Sequence, residues 1–466
     1  MRFPRRTGRV GRRTRWSALL VSALIAVGSI TAAGHGAAEV VDDFYTPPAG
    51  YESSAPGAIL ASRPVATKML LQFPVNAQAW QLLYRTTDGQ GRPHAAVTTV
   101  LIPRGPAEPR PLLSFQMAYD AVQRECMPSH TLTHGDLAGM LNGQKSGWST
   151  VPGEMALVAA GLAKGWAVAV PDPGGIDDRF LTPNLMGYTT LDGIRAAQNF
   201  APLGLAGAAT RVAAWGYSGG GVATSWAAQV QPRYAPELNM VGFAIGAPVQ
   251  DLGAAMRTAD GRETVGLAPL GLASIGKDSP EFAARLDSFL TPAGRIAVAE
   301  AGVECTATTV SANRFKRVSE WLNAPIDVML ADPVLGGEVD ARKRGGETPS
   351  APLYVFNGVN DEVSWIGGTD DLVARYCADG ASITYLRDAT PDSIVGAHGV
   401  VALTAAGGAM AWVARALDGE GAVQGPGCTT STVATTAIDP ANATALPEFA
   451  DAVLATLVGQ AVGAQR

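Results

Sequence analysis

The chain has 466 residues, 47% of them hydrophobic and only 16% charged, which favours a large buried core and excludes a disordered polymer. Its formal net charge is −6, with 41 acidic against 35 basic residues, so no overall basic character points to nucleic acid. Size alone would allow several domains, although α/β enzymes often run this long as one unit.

Residues 1–38 read as a secretory signal. Seven arginines fall within the first fifteen positions, an apolar run follows over 16–30, and then come Thr31-Ala32-Ala33 and Gly36-Ala37-Ala38. The apolar run is short for a membrane span, so no stable span is expected in the mature chain, with an uncleaved anchor as the alternative. Arg12-Arg13 is a weak twin-arginine signal, and no cysteine follows the run to carry a lipid. Removal of this segment leaves 28 basic against 41 acidic residues, a net charge of −13, which serves solubility. Four cysteines, Cys126, Cys305, Cys377 and Cys428, imply two disulfides in an exported chain. Three pairings are open, and the spacing matches no zinc site.

Residues 39–66 carry four prolines and no clear period, and read as an extended arm. Two strands over 80–85 and 95–102 flank the turn Asp88-Gly89-Gln90-Gly91. Residues 111–116 form the next strand, followed by a loop with Tyr119, Asp120 and Cys126. A helix over 155–163, a buried strand over 166–170 and a helix over 190–199 come next. The strand from 211 runs into Gly216-Tyr217-Ser218-Gly219-Gly220, followed by a helix over 221–230. Further strands are expected at 240–245, 353–356 and 383–386, with the last long helix at 402–417 and a loop-like stretch over 420–445. Alternating strands and helices predict a mostly parallel sheet covered on both faces. Residues 251–348 break that rhythm. They hold helical patterns and no convincing strand, and read as an insertion over the sheet's C-terminal edge, with ordinary crossover helices as the alternative. One helix is expected to start at Ser279-Pro280 and to bury Phe282, Leu286, Phe289 and Leu290.

Gly216-x-Ser218-x-Gly220 is a nucleophile-elbow pattern, and it occurs once. The elbow strains Ser218, exposes its hydroxyl at the tip of the turn, and leaves no room for side chains at the flanking positions. A base and an acid must follow the serine in the order acid, then histidine. Of the five histidines only His398 follows Ser218. Asp361 lies just beyond a buried strand, with Glu362, Asp388 and Asp392 as rivals for the acid. The oxyanion hole needs two N–H donors. One is Gly219, and the other should come from the loop after Gln116, where the His-Gly-Gly-Gly form is absent.

Ser114-Phe115-Gln116, Tyr119-Asp120, Cys126-x-Pro128-Ser129, Phe44-Tyr45-Thr46-Pro47-Pro48, the Gly-Tyr-Ser-Gly-Gly elbow and the loops of Asp361 and His398 together resemble the secretory lipases, the lipase-A type of fungi and actinobacteria. The likeness spans roughly residues 42–430, and His130 stands where an aromatic residue is expected. It implies an α/β-hydrolase fold with a helical cap at 251–348, between core segments 39–250 and 349–466. It also implies that the backbone of Asp120 gives the second oxyanion N–H. A disulfide Cys126–Cys305 tying the oxyanion loop to the cap is implied as well, which leaves Cys377 for Cys428.

These readings lead to an exported serine carboxylic-ester hydrolase acting on lipid esters, with no metal or organic cofactor. A peptidase or acyltransferase on the same fold is the second reading, and a non-catalytic surface-binding protein the third. The latter should lack one of Ser218, Asp361 or His398, and all are present. The insertion supplies many apolar side chains, Leu267, Leu270, Leu272, Phe282, Phe289 and Phe315 among them, and some of these are expected to line the underside of the cap facing Ser218. The segment Gly271-Leu272-Ala273-Ser274 is expected to lie between cap helices and let the cap move.

Overall fold

The computed structural model describes residues 42–105, 109–393, 396–419 and 427–463. The expected signal over 1–38 lies outside the described residues. The strands in chain order are β1 (Ile59–Val65), β2 (Lys68–Met69), β3 (Phe73–Pro74), β4 (Gln78–Thr87), β5 (Pro93–Ile102), β6 (Leu112–Gln116), β7 (Ala167–Pro171), β8 (Val212–Tyr217), β9 (Met240–Gly246), β10 (Leu353–Gly358), β11 (Ile383–Asp388) and β12 (Cys428–Val433). β2 and β3 pair only with each other. The other ten make one sheet in the order β1-β4-β5-β7-β6-β8-β9-β10-β11-β12. β6 to β12 run parallel, and β1, β4 and β5 form an antiparallel extension joined to β7.

The sequence explains this division. β6 and β7 are buried along their whole length, as strands covered on both faces must be; β7 reads as an unbroken apolar run, and β6 carries Ser114 and Gln116, which bond to each other. β4 and β5 are joined by the short turn at Asp88, whose carboxylate accepts the N–H groups of Gln90 and Arg92. The helices Leu185–Asn199 and Gly219–Tyr234 pack on each other, and Val151–Ala163, Ala406–Asp418 and Pro440–Leu457 form a second group. Helices thus cover both faces of a mostly parallel sheet, with β8 near its middle. No single helix among the described residues is long and apolar enough to cross a membrane.

Several expectations need correction. Residues 39–66 are not all an extended arm, because β1 pairs antiparallel with β4 at the sheet's edge. Pro64 obscured this strand, and an edge is where a proline's missing N–H is tolerated. The helices expected at 155–163, 190–199 and 221–230 begin earlier, at Val151, Leu185 and Gly219. The helix expected at 402–417 is two helices, Ala397–Thr404 and Ala406–Asp418. They part where the Thr404 carbonyl accepts from Asn442 Nδ2 at 3.0 Å. It is not the last long helix, for Pro440–Leu457 follows, capped by the Asp439 carboxylate on Ala441 N–H at 2.8 Å. The stretch 420–445, read as loop, holds the polar edge strand β12; residues 420–426 lie outside the described residues.

Residues between β9 and β10 form eight short helices from Leu252 to Asp340, and the described residues there hold no strand beyond one Leu290–Leu322 bridge. Ser279 caps the helix Pro280–Asp287, its hydroxyl accepting Phe282 N–H, with Pro280 at the first helical position. Phe282, Leu286 and Leu290 are buried with Leu272, Trp321, Met329 and Leu335 in an apolar cluster distinct from that of the sheet.

Two disulfides are formed, Cys126–Cys305 and Cys377–Cys428, with Cα atoms 5.5 and 5.9 Å apart. The first ties the loop after β6 to the inserted helices, as the resemblance implied, and spans 179 residues. Both of its cysteines are fully buried. On the chain-entropy model such a loop is worth about 5 kcal/mol. The double variant Cys126→Ser, Cys305→Ser should therefore unfold at clearly lower guanidinium concentration than the wild type under non-reducing conditions. An unchanged midpoint would show that this link does not restrain the unfolded chain.

Candidate active site

β8 buries Val212, Ala213, Ala214 and Trp215 between its neighbours and ends at Tyr217. The next residue, Ser218, has φ 54° and ψ −123°, a conformation that side chains rarely adopt. It is held there by its N–H, which donates to the Gly246 carbonyl at 3.0 Å, and by its own carbonyl, which accepts from Val222 N–H at 2.8 Å. A Cβ at Gly216 would collide with the Gly220 carbonyl, and one at Gly220 with the Gln116 carbonyl. The two glycines are required by close approach of backbone to backbone. The helix Gly219–Tyr234 starts at once, so its first N–H groups lie beside Ser218 without intrahelical partners.

His398 is the second residue of the helix Ala397–Thr404. Its Nε2 lies 2.8 Å from Ser218 Oγ. Its Nδ1 lies 3.0 and 2.9 Å from the two carboxylate oxygens of Asp361. Asp361 is buried in the turn after β10, and its Oδ1 also accepts the N–H groups of Val363 and Ser364 at 2.9 and 2.7 Å. A carboxylate so fixed leaves Nδ1 as the protonated nitrogen and Nε2 as the free base. Burial pulls the His398 pKa down, but the charges of Asp361, Glu362 and Asp120 and the hydrogen bond to Asp361 outweigh it, so the net shift is upward.

The rival carboxylates take other parts. Glu362 Oε2 accepts the N–H groups of Ala397 and His398 at 2.9 and 3.2 Å, holding the backbone of the histidine. Asp388 is buried but accepts from Thr390 and Thr436, and Asp392 is an exposed partner of Arg262. Tyr217 O–H donates to the His398 carbonyl at 2.7 Å. Neither Glu362 nor Tyr217 was assigned this anchoring role from sequence. The only signal was their place next to Asp361 and Ser218.

Asp120 lies in the loop after β6 with φ 40°, and it is buried. Its carboxylate packs against the α-carbon of Gly219, where any Cβ would strike it. Burial raises its pKa to about 6, against the opposing charge of His398. Beneath it, Gln116 is locked by Ser114 at 2.7 Å and Thr224 at 2.8 Å. Further back, Tyr45 O–H lies 2.8 Å from Ser129 Oγ, which donates to Asp172 at 2.5 Å, and this joins the N-terminal segment to the helix Pro128–His134 and the end of β7.

From Asp120 and Gly219 a pocket runs between the core and the inserted helices, lined by Phe180, Leu181, Val222, Leu252, Met256, Leu267, Leu270, Leu272 and Ile275. Of the six apolar side chains from which some were expected here, the three leucines line it. Phe282 instead belongs to the insertion's own core, Phe289 packs on that core, and Phe315 is exposed. Gly271-Leu272-Ala273-Ser274 lies inside the helix Leu267–Asp278, not between helices. Among the described residues no cluster of His, Cys, Asp or Glu could hold a metal ion.

A mostly parallel sheet covered by helices, with a strained serine at a strand–helix turn near its middle, is the architecture of an α/β-hydrolase. A family model described as secretory lipase matches residues 143–425, and the chain belongs to that family, one of carboxylic-ester hydrolases. It is 34% identical over 429 residues to lipase A of Arthroderma benhamiae, covering 91% of this chain and 88% of that one. It is 37% identical over 349 residues to a probable inactive lipase of Mycobacterium tuberculosis, covering 74% and 76%. Its fold resembles the crystal structure of Candida antarctica lipase A at TM-score 0.73 and 25% identity, covering 91% and 96%.

Proposed function

We propose that the protein is an extracellular lipase that hydrolyses medium- to long-chain acyl esters, triacylglycerols included, through an acyl-enzyme on Ser218. The observation that carries this reading is the run of contacts from Ser218 through His398 to Asp361, none longer than 3.0 Å. Ser218 Oγ attacks the ester carbonyl while His398 Nε2 takes its proton, and Asp361 steadies the imidazolium. The N–H groups of Gly219 and Asp120 stabilise the tetrahedral oxyanion. His398 then protonates the departing alcohol, and water repeats the sequence to release the fatty acid. None of these steps calls on a metal or organic cofactor. The helices of 251–348 act as a cap between the core segments 39–250 and 349–466. Export rests on the signal-like residues 1–38, the two disulfides and the family.

The apolar pocket supports the acyl preference. Each buried methylene contributes about 0.8 kcal/mol, or about fourfold in affinity, until the pocket is full. Hydrolysis should therefore rise from acetyl to octanoyl esters and persist on palmitoyl esters and a triacylglycerol emulsion. Rapid acetyl turnover with none on long chains would leave a plain esterase. Labelling with a fluorophosphonate tests the nucleophile in the same preparation, with the adduct expected on Ser218.

A further inference from the structure

The inserted helices do more than line the pocket. Thr306 opens the helix Thr306–Asn313, and its hydroxyl, with one proton to give, lies 2.6 Å from the Tyr119 carbonyl oxygen and 2.7 Å from that of Asp120. The Tyr119 carbonyl and the Asp120 N–H belong to one planar peptide, and point in opposite directions from it. A donor on that carbonyl therefore fixes the direction of the Asp120 N–H and polarises it. The same proton is shared with the Asp120 carbonyl on the far side of that residue, whose φ is 40°.

The hydroxyl is itself well fixed. Its neighbour Cys305 is bonded to Cys126, Ala307 N–H donates to the Trp148 carbonyl at 2.9 Å, and Gln123 Nε2 donates to the Gly302 carbonyl at 2.5 Å. The segment 302–307 is thus fastened to the Asp120 loop and its surroundings at several points, and Thr306 is the one that reaches the Asp120 peptide.

We propose that Thr306 is a positioning residue of the oxyanion hole, acting through the peptide between Tyr119 and Asp120. This rests on the reading above that Asp120 N–H is an oxyanion donor. Nothing touches the substrate from Thr306 itself. Its effect should appear in the transition state, where charge develops on the oxyanion, and not in binding of the ground state.

The experiment compares wild type, Thr306→Val, Thr306→Ala and Thr306→Ser on an octanoyl ester, with thermal unfolding and non-reducing peptide maps as controls for fold and disulfide. Losing an oxyanion donor outright costs about 100- to 1000-fold, so losing its alignment should lower kcat about 10- to 100-fold in Thr306→Val and Thr306→Ala. KM should stay within about twofold, as for any interaction made only in the transition state. Thr306→Ser should recover most of the rate because it keeps the hydroxyl. A trifluoromethyl ketone, which binds the serine as an oxyanion, should weaken by the same factor as kcat/KM. Wild-type kcat in both Thr306→Val and Thr306→Ala, a loss confined to KM, or a loss that serine does not restore overturns the proposal. If instead wild type hydrolyses no ester, or Ser218→Ala keeps the activity, the reading beneath fails and this one with it.

Discussion

Ser218→Ala should abolish ester hydrolysis, roughly a millionfold in kcat, while the protein stays folded. The change removes one oxygen and little packing. The bonds from Ser218 N–H to Gly246 and from Val222 N–H to the residue 218 carbonyl are made by backbone and remain. The residual rate should be that of substrate held next to the oxyanion donors without a nucleophile. Turnover near wild type in a well-folded variant, with a fluorophosphonate adduct on another serine, would falsify the assignment.

His398→Ala should cost nearly as much, because groups that act as one unit are lost together. Asp361→Asn should cost less, on the order of ten thousandfold, since the imidazole remains but in the wrong tautomer. The pH profile gives a second, independent reading. His398 must be neutral to accept the serine proton, and its pKa is raised above the ordinary 6.5 by Asp361, Glu362 and Asp120 against burial. The acid limb of kcat/KM should therefore lie above pH 6.5, with activity lost as pH falls through it. Asp361→Asn should move that limb down, because it removes the largest of the charges that raise the pKa. A limb that stays in place in Asp361→Asn but drops in Glu362→Gln would move the acid's role to Glu362.

What was legible in the sequence follows from how local each signal is. β7 and β8 are short apolar runs ended by Pro171 and by Gly216 and Ser218, and their burial can be read directly. The elbow is legible because its pattern lies within five residues, Gly216 to Gly220, although the crowding at Gly220 comes from Gln116 on β6. His398 was found by exclusion, because it alone follows the serine. The choice between Asp361 and its neighbour Glu362 needed coordinates: one points at the ring and the other at the backbone of the same residue. β1 and β12 escaped for a physical reason. Edge strands bury little, so the first tolerates Pro64 and the second runs Cys-Thr-Thr-Ser-Thr-Val with no apolar face. Thr306 was out of reach altogether, since its partners lie 186 and 187 residues away.

The edge strand β12 bears on how the chain survives before it is finished. It is almost wholly exposed, and it covers β11, whose Ile383 and Tyr385 are buried. Without it, β11 would present a bare row of amide and carbonyl groups beside apolar side chains, a template for other chains to join. The bond from Cys428 to Cys377, on the helix Ile366–Ala378, holds this guard in place. Loss of that pair alone, as in Cys377→Ser with Cys428→Ser, should therefore be felt in solubility more than in chemistry, because the bond lies at the sheet's edge and the Cys126–Cys305 bond beside the Asp120 loop is kept. Yield of soluble protein, rather than turnover per molecule, is where loss of this one bond should show.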